Sequence, residues 1–410
     1  MKGFSTRAIH GNPLLRDPKG SLRPPIYDSV AFEHESGDSL RLTFEGKKLA
    51  YAYSRISNPT VSDFEQRLQL ISGGIGVLAV SSGMAAISNT ILALAGAGAN
   101  IVTSKHLFGN TLSLLDKTLR PWGLEVRYVD TDDLAQVAGA IDAKTSAVFI
   151  ESITNPQLDV PDCRRISAIT AAQRVPLILD NTLLTPYLFN CGEHGVNIEI
   201  LSSTKYISGG ATSVGGVIID HGNFDWRQAS RLQERAAKQG QMALLAALRQ
   251  EVYRNVGACL SPHNAYLQTL GLETMNLRIE RSCANTMALA AYLEKQPRTK
   301  GVNYPGLASS PYHALAAHQF GGRFGGVLTF DLASREECFA FMDALQLIRR
   351  ATNINDNKTL IIHPASTIFT EYPAEEKLVM GVRPNMLRLA VGIEDHEDLI
   401  DDLEEGFKAI

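Results

Sequence analysis

A chain of 410 residues, 45% hydrophobic and 20% charged, has the balance of a globular protein with room for two domains. Its 39 basic and 43 acidic residues leave a formal net charge of −4 with no basic tract, which argues against a nucleic-acid-binding surface. The apolar stretch 87–99 is too short to cross a bilayer, Met1-Lys2-Gly3-Phe4 opens no signal-peptide core, and Cys163, Cys191, Cys259, Cys283 and Cys338 are odd in number with no C-x-x-C pair; these features predict a cytoplasmic protein with reduced thiols, no membrane contact and no metal site.

In chain order, residues 1–57 carry Pro13, Pro18, Pro24 and Pro25, scattered charges and no sustained hydrophobic period, which predicts an arm rather than a core. The aromatics Tyr27, Phe32, Phe44, Tyr51 and Tyr53 argue against simple disorder, so the arm needs a surface to lie on, such as a neighbouring subunit. From Val61 onward, β-rich runs recur at 77–80, 101–103, 124–129, 147–150, 177–179, 199–201 and 217–219, with helical stretches such as 84–95 and 162–173 between them. This alternation predicts an α/β fold over 58–255 with a mostly parallel, helix-covered sheet of seven strands. Ligands in such sheets sit at the carboxyl ends of strands, where Ser81-Ser82-Gly83, Glu151, Asp180-Asn181 and Ser202 to Lys205 fall. A helical region over 262–296 lies in a second, smaller α+β domain, 256–410, with strands at 327–330 and 387–391 and helices at 335–347 and 395–407.

Two nucleotide-binding readings fail. Gly74-Ile75-Gly76 lacks a third glycine and precedes a strand rather than following one, and no G-x-x-x-x-G-K-[ST] loop exists. Asp130-Thr131-Asp132-Asp133 reads as the start of a helix, where carboxylates cap free amides, rather than a metal site. Ser81 to Met84, at a strand-to-helix turn, is either an anion site or an ordinary cap. Lys205, in Ser202-Ser203-Thr204-Lys205, stands at a strand end, where burial would lower its pKa and free a nucleophilic amine; snorkelling to solvent is the bland alternative. Asp180 is either a partner for a protonated pyridine nitrogen or a strand-end acid closing a turn, and Glu151 sits similarly one strand away. Together these are the parts that a pyridoxal 5′-phosphate site requires: an amine, a charge partner for the ring nitrogen and a phosphate cradle.

The chain resembles the Cys/Met-metabolism family of pyridoxal phosphate enzymes from about Tyr27 to its C-terminus. The resemblance rests on Tyr53-Ser-Arg55-Ile-Ser-Asn58-Pro59-Thr60, Ser82-Gly83-Met84, Glu151 with Asn155-Pro156, Asp180-Asn181-Thr182, Ser202 to Lys205, and Arg388-Leu-Ala-Val-Gly-Ile-Glu394. It implies the aminotransferase-like fold type I, with Lys205 as the Schiff-base lysine and later proton shuttle. It also implies that Asp180 meets the ring nitrogen, that Asn155 lies near the ring hydroxyl, and that Ser82, Gly83, Met84, Ser202 and Thr204 bind the phosphate. Tyr53 and Arg55 would reach a neighbour's phosphate, so a homo-oligomer with shared sites, a dimer or a homotetramer, is expected. Arg388 would clamp the substrate carboxylate, with Asn353 and Glu151 also at the substrate.

Within the family, Val302 to Leu307, Asn353 and Lys358 to Thr367 are most similar to the O-acetylhomoserine sulfhydrylase branch. Cystathionine synthases and methionine γ-lyases usually carry serine at the place of Asn353, and γ-lyases tend to carry cysteine at that of Asn110. The implied reaction is γ-replacement, in which a small amino-acid ester meets a sulfur donor. The alternatives are a methionine or homocysteine γ-lyase, a cystathionine γ-synthase and, in a different class, an inactive binding paralogue. Three positions depart from the pattern: the segment after Asn223 to Trp226 is shorter than in many sulfhydrylases, Asn355 stands where glycine is usual, and Phe108 replaces the tyrosine that stacks on the cofactor ring.

Overall fold

The seven expected runs form one sheet in the computed structural model, which describes residues 3–11, 17 and 19–410; Pro13 and Pro18 lie outside the described residues. Its strands are β1 (Gly76–Val80), β2 (Asn100–Ser104), β3 (Glu125–Val129), β4 (Thr145–Glu151), β5 (Leu177–Asp180), β6 (Ile198–Leu201) and β7 (Gly216–Asp220), in the order β1-β7-β6-β5-β4-β2-β3. Only β7 runs against its neighbours, so the sheet is mostly parallel. β2, β6 and β7 are buried along their whole length, because apolar clusters cover both faces. A strand buried on both sides tends to read as an apolar run, as Val217 to Ile219 of β7 does.

The arm differs from the expectation of an unpatterned segment. Helices form at α1 (Phe4–His10) and α2 (Gly37–Phe44), both too short to show a period. α1 is fastened to α3 (Pro59–Ser72): Arg67 Nη1 donates to the carbonyls of Ala8 and Ile9 at 3.1 and 2.6 Å, and Arg7 Nη1 donates to Leu70 O at 2.6 Å. α3 begins where Asn58 accepts from Thr60 N and Pro59 opens the first turn, and it ends at Gly73 in the left-handed region (φ 75°). The rest of the arm holds apolar side chains out in solvent, with Leu22 and Leu49 fully exposed.

Beyond the first sheet, the helical region expected over 262–296 is two helices, Pro262–Glu273 and Met275–Leu293, broken where Thr274 leaves the helical conformation (φ −113°, ψ 4°). A second sheet then forms from β8 (Gly301–Asn303), β9 (Val327–Asp331), β10 (Arg349–Arg350), β11 (Leu360–Ile362) and β12 (Met386–Ala390), ordered β10-β11-β12-β9-β8. Leu289, Phe330, Phe341, Leu387, Leu399 and Leu403 belong to its core. Asp133 caps the helix Leu134–Ala140 as expected, accepting from Ala135 N and Gln136 N. The five cysteines are free, and no helix among the described residues is long and apolar enough to cross a membrane.

Candidate active site

The carboxyl ends of β4, β5 and β6 deliver Glu151, Asp180 and Ser202 to one cavity of about 520 Å³. Ser82, Gly83, Met84, Phe108, Asn155, Thr204, Lys205 and Arg388 also line it. Arg388 arrives from the second sheet, where β12 pairs it with Thr329 and Ile362.

At the end of β1 the chain turns into the helix α4 (Gly83–Leu94). Ser82 Oγ caps it by accepting from Ala85 N at 3.0 Å, and Gly83 and Met84 occupy the first turn, where helix amides are free to bind an anion. A Cβ on Gly83 would lie 2.8 Å from Cβ of Ser202, so glycine is what lets the turn close on the end of β6. Ser202 N donates to Thr182 Oγ1 at 2.8 Å, and Thr182 N donates to Asp180 Oδ1 at 3.0 Å, which ties the two strand ends together. Thr204 Oγ1 donates to Gly215 O and accepts from Gly215 N, both at 3.1 Å.

Four ionisable groups in the cavity, Lys205, Asp180, Arg388 and Glu151, are displaced toward their neutral forms. Burial lowers Lys205 to about 8; the charge of Arg388 adds to the shift and that of Asp356 opposes it. Lys205 Nζ donates to Asn353 Oδ1 at 2.6 Å, so Asn353 stands directly beside the amine. Burial raises Asp180 to about 6 against the hydrogen bonds from Thr182. Arg388, 2% exposed, is lowered to about 9 by burial alone. Its Nη1 donates to Asn155 Oδ1 at 3.0 Å and its Nη2 to the carbonyls of Thr352 and Asn353 at 3.2 and 3.3 Å, while Nε has no partner among the described residues. Buried cations are ordinarily paired with an anion, and no carboxylate of the described residues is bonded to this one.

Glu151 has both oxygens on the main chain: Oε1 accepts from Phe108 N at 2.8 Å and Oε2 from Asn155 N at 3.2 Å. Burial pushes its carboxyl far above the usual range, and the charge of Asp180 adds to that. It therefore braces the two turns that carry Phe108 and Asn155. Tyr53 and Arg55 are not brought to this cavity: Arg55 Nη1 donates to Arg254 O at 2.5 Å, and its guanidinium lies 5.4 Å from the Tyr53 ring centre.

Sequence reasoning missed the apolar wall, made by Ile87, Leu183, Ile354 and Ile368, because single aliphatic residues carry no chemical signature. Thr182 could have been found from its place two residues after Asp180. A buried polar seam also lies behind Asp180-Asn181. Asn181 Nδ2 donates to Glu199 Oε1 at 2.8 Å, His221 Nε2 lies 3.1 Å from Glu199 Oε2, and Cys191 completes a group whose donor atoms fall within 4.8 Å of one another. Its members come from three separate segments, so no spacing announced it.

A buried amine with a lowered pKa, a carboxylate on a neighbouring strand end, helix amides near Ser202 and an unpaired guanidinium fit pyridoxal 5′-phosphate and an amino-acid carboxylate. The comparisons with known proteins agree. A crystal structure of a putative O-acetylhomoserine (thiol)-lyase from Campylobacter jejuni, 34% identical, covers 99% of this chain and 100% of its own with a TM-score of 0.94, and carries a pyridoxyl-lysine phosphate. A structure of O-acetylhomoserine sulfhydrylase in the methionine biosynthetic pathway of Wolinella succinogenes is 51% identical, with 86% of this chain and 98% of that one covered and a TM-score of 0.77. The O-acetyl-L-homoserine sulfhydrylase of Corynebacterium glutamicum is 36% identical over 100% of this chain and 97% of its own length. With the family match running over residues 5–408, the chain belongs to the Cys/Met metabolism PLP-dependent enzymes, and its cofactor is pyridoxal 5′-phosphate.

Proposed function

We propose that this enzyme replaces the acetate of O-acetyl-L-homoserine with sulfide, or another sulfur donor, to give L-homocysteine and acetate in methionine biosynthesis. The observation that carries the reading is the buried, anion-free Arg388 on the wall shared with Lys205, which calls for an amino-acid carboxylate beside the reactive amine. The sulfhydrylase relatives favour this chemistry over γ-lyase or cystathionine synthesis.

In this reading Lys205 holds the cofactor covalently, and Asp180 keeps a negative charge at the ring nitrogen. Ser82, Gly83, Met84, Ser202 and Thr204 take the phosphate, Phe108 covers a ring face, and Asn155 serves the ring hydroxyl. When bound, pyridoxal phosphate supplies an electron sink that lets protons leave Cα and Cβ and the γ-substituent depart. Arg388 orients the substrate through its α-carboxylate and Asn353 completes the substrate side, while Glu151, which sequence reasoning placed at the substrate, serves it indirectly by bracing Phe108 and Asn155. Lys205 Nζ takes the proton at Cα and returns protons to the chain later, a role suited to an amine whose pKa lies near neutrality. Acetate leaves as a stable anion, so the site needs no strong acid at the γ-position. That accords with phenylalanine at position 108.

The proposal extends to organisation. Residues 1–57 serve as an arm laid on a neighbouring subunit, 58–255 as the cofactor domain and 256–410 as the second domain, in a cytoplasmic homotetramer. Tyr53 and Arg55, outside their own chain's cavity, would complete a neighbour's phosphate site, and the exposed apolar side chains of the arm support such a contact. Steady-state assays of O-acetyl-, O-succinyl- and O-phosphohomoserine with sulfide test the reaction. The highest kcat/KM is expected with the acetyl ester, and faster elimination from methionine than replacement on any ester would overturn the assignment.

A further inference from the structure

The amine of Lys205 sits at the head of a hydrogen-bonded chain that reaches beyond the cavity. Lys205 Nζ donates to Asn353 Oδ1 at 2.6 Å, and Asn353 Nδ2 donates to Asp356 Oδ2 at 3.0 Å. We propose that Asp356 is a positioning residue that locks the Asn353 amide with its oxygen toward Lys205, and so fixes where the amine rests between proton transfers. The inference builds on the reading above, in which Lys205 is the proton carrier.

The geometry leaves the amide little other control. Arg388 Nη2 donates to Asn353 O at 3.3 Å, which pins the main chain but not the side-chain amide. Turned over, that amide would present NH₂ to the lysine, donor against donor. Only an acceptor on its far side selects the useful orientation, and Asp356 Oδ2 is that acceptor. The carboxylate is itself held, because Asp356 Oδ1 accepts from Lys358 N at 3.2 Å. The turn is also anchored on both flanks. Asn355, left-handed at φ 54°, donates through Nδ2 to Thr182 O at 3.2 Å, and Asn357 Nδ2 donates to Gly209 O at 3.3 Å, four residues after the lysine. The charged groups around the amine are Arg388 from β12, Asp180 from β5, Glu151 from β4 and Asp356 from this turn.

The test uses the holoenzyme without substrate and reads the pH midpoint of the visible absorption band of the lysine-linked cofactor. Asparagine has one carbonyl oxygen, so Asp356→Asn can serve Asn353 or Lys358 but not both. The free amine donates to Asn353 in this structure, so a loosened amide is expected to disfavour the protonated nitrogen. The midpoint should fall on the order of one pH unit, as when a favourable charge is lost nearby. Asn353→Ser should lower it as well, and Asp356→Asn added to Asn353→Ser should do little more, because the link is already cut. Asp356→Glu, which keeps two acceptor oxygens, should recover part of the shift. An unchanged midpoint in Asp356→Asn overturns the proposal. So do equal shifts from Asp356→Asn with and without Asn353→Ser, since charge or turn stability alone would act in both. If Asp356→Asn does not fold, Asn353→Ser decides, and an unmoved midpoint rejects the link. The titration contains no homoserine ester, so a wrong substrate assignment leaves it intact. A wild-type enzyme without the band would instead remove the reading beneath it.

Discussion

Replacing Asp180 with asparagine should pull stability and function in opposite directions. Asparagine keeps the shape and can still accept from Thr182 N, the 3.0 Å bond that ties this strand end to its turn. In the protein without cofactor, burial raises the Asp180 carboxyl from 3.8 to about 6. The folded state then binds this proton more tightly than the unfolded state does. Stability is lost as pH rises from about 4 to about 6, and the full penalty applies above that range. Two pKa units correspond to about 3 kcal/mol, so about 1–3 kcal/mol should be recovered once local relaxation is allowed for. The Asp180→Asn apoprotein should therefore melt higher than wild-type apoprotein at pH 8, with the difference vanishing near pH 4. Addition of pyridoxal phosphate should reverse the order, because only the carboxylate offers a charge to the ring nitrogen. Turnover should fall at least ~10²-fold, within the range typical of a lost catalytic electrostatic contact. Thermal melts of both proteins, with and without cofactor at the two pH values, would measure this. A less stable Asp180→Asn apoprotein at pH 8, or unimpaired turnover, would refute the argument that Asp180 is a buried charge awaiting a cationic partner.

Lys205→Ala should lose both the visible absorption and turnover, and borohydride reduction of the wild type followed by peptide mapping should place the pyridoxyl group on Lys205. Mixing inactive Arg55→Ala with inactive Lys205→Ala subunits should restore some activity through hybrid sites; no recovery after verified subunit exchange would count against sites shared between chains. Phe108→Tyr should raise thioether elimination more than ester turnover, because thiols (pKa ~8.5) need a proton on departure far more than carboxylic acids (pKa ~4), and general-acid help is typically worth ~10²–10⁴-fold. Equal effects on kcat/KM for methionine and the acetyl ester would reject that leaving-group argument.

What the sequence disclosed follows from how each feature is encoded. The strands of the first sheet were legible because burial on both faces turns them into short, largely apolar runs, as in Leu177 to Leu179 and Val217 to Ile219. Lys205, Asp180 and Ser82 stood out because each is polar at the end of such a run. The helices of the arm were not legible, since seven or eight residues cannot establish a period. The break at Thr274 was hidden because neither glycine nor proline marks it. The side chains that adjust the site were the least visible. Asp356 reaches Lys205 only through Asn353, and Glu199 meets His221 only because β6 and β7 lie side by side. Pairings of that kind exist once the sheet is assembled, and no spacing along the chain records them.

The treatment of charge elsewhere in the molecule sharpens the reading of the cavity. Two part-buried arginines outside the cavity are each given an acid by the chain itself, whereas the buried Arg278 has only the Gly271 carbonyl and the Thr274 hydroxyl. Arg249 Nη2 meets Glu65 Oε2 at 2.6 Å, and Arg383 grips Asp331 with two bonds of 2.7 and 3.0 Å. Arg388 is more deeply buried than either of these arginines, yet it receives only neutral oxygens. Lys205 likewise is bonded to an amide, and the bonded partner of Asp180 is a threonine. Leaving a charge buried and unpaired costs several kcal/mol, so three such groups around one cavity would be a poor arrangement for a scaffold. The same three become complementary when their missing partners arrive from outside: a carboxylate for Arg388, a cationic ring for Asp180 and an electrophilic carbonyl carbon for the neutral Lys205 amine. An inactive paralogue would have no use for that unbalanced set, and an enzyme that binds an amino acid on pyridoxal phosphate requires it.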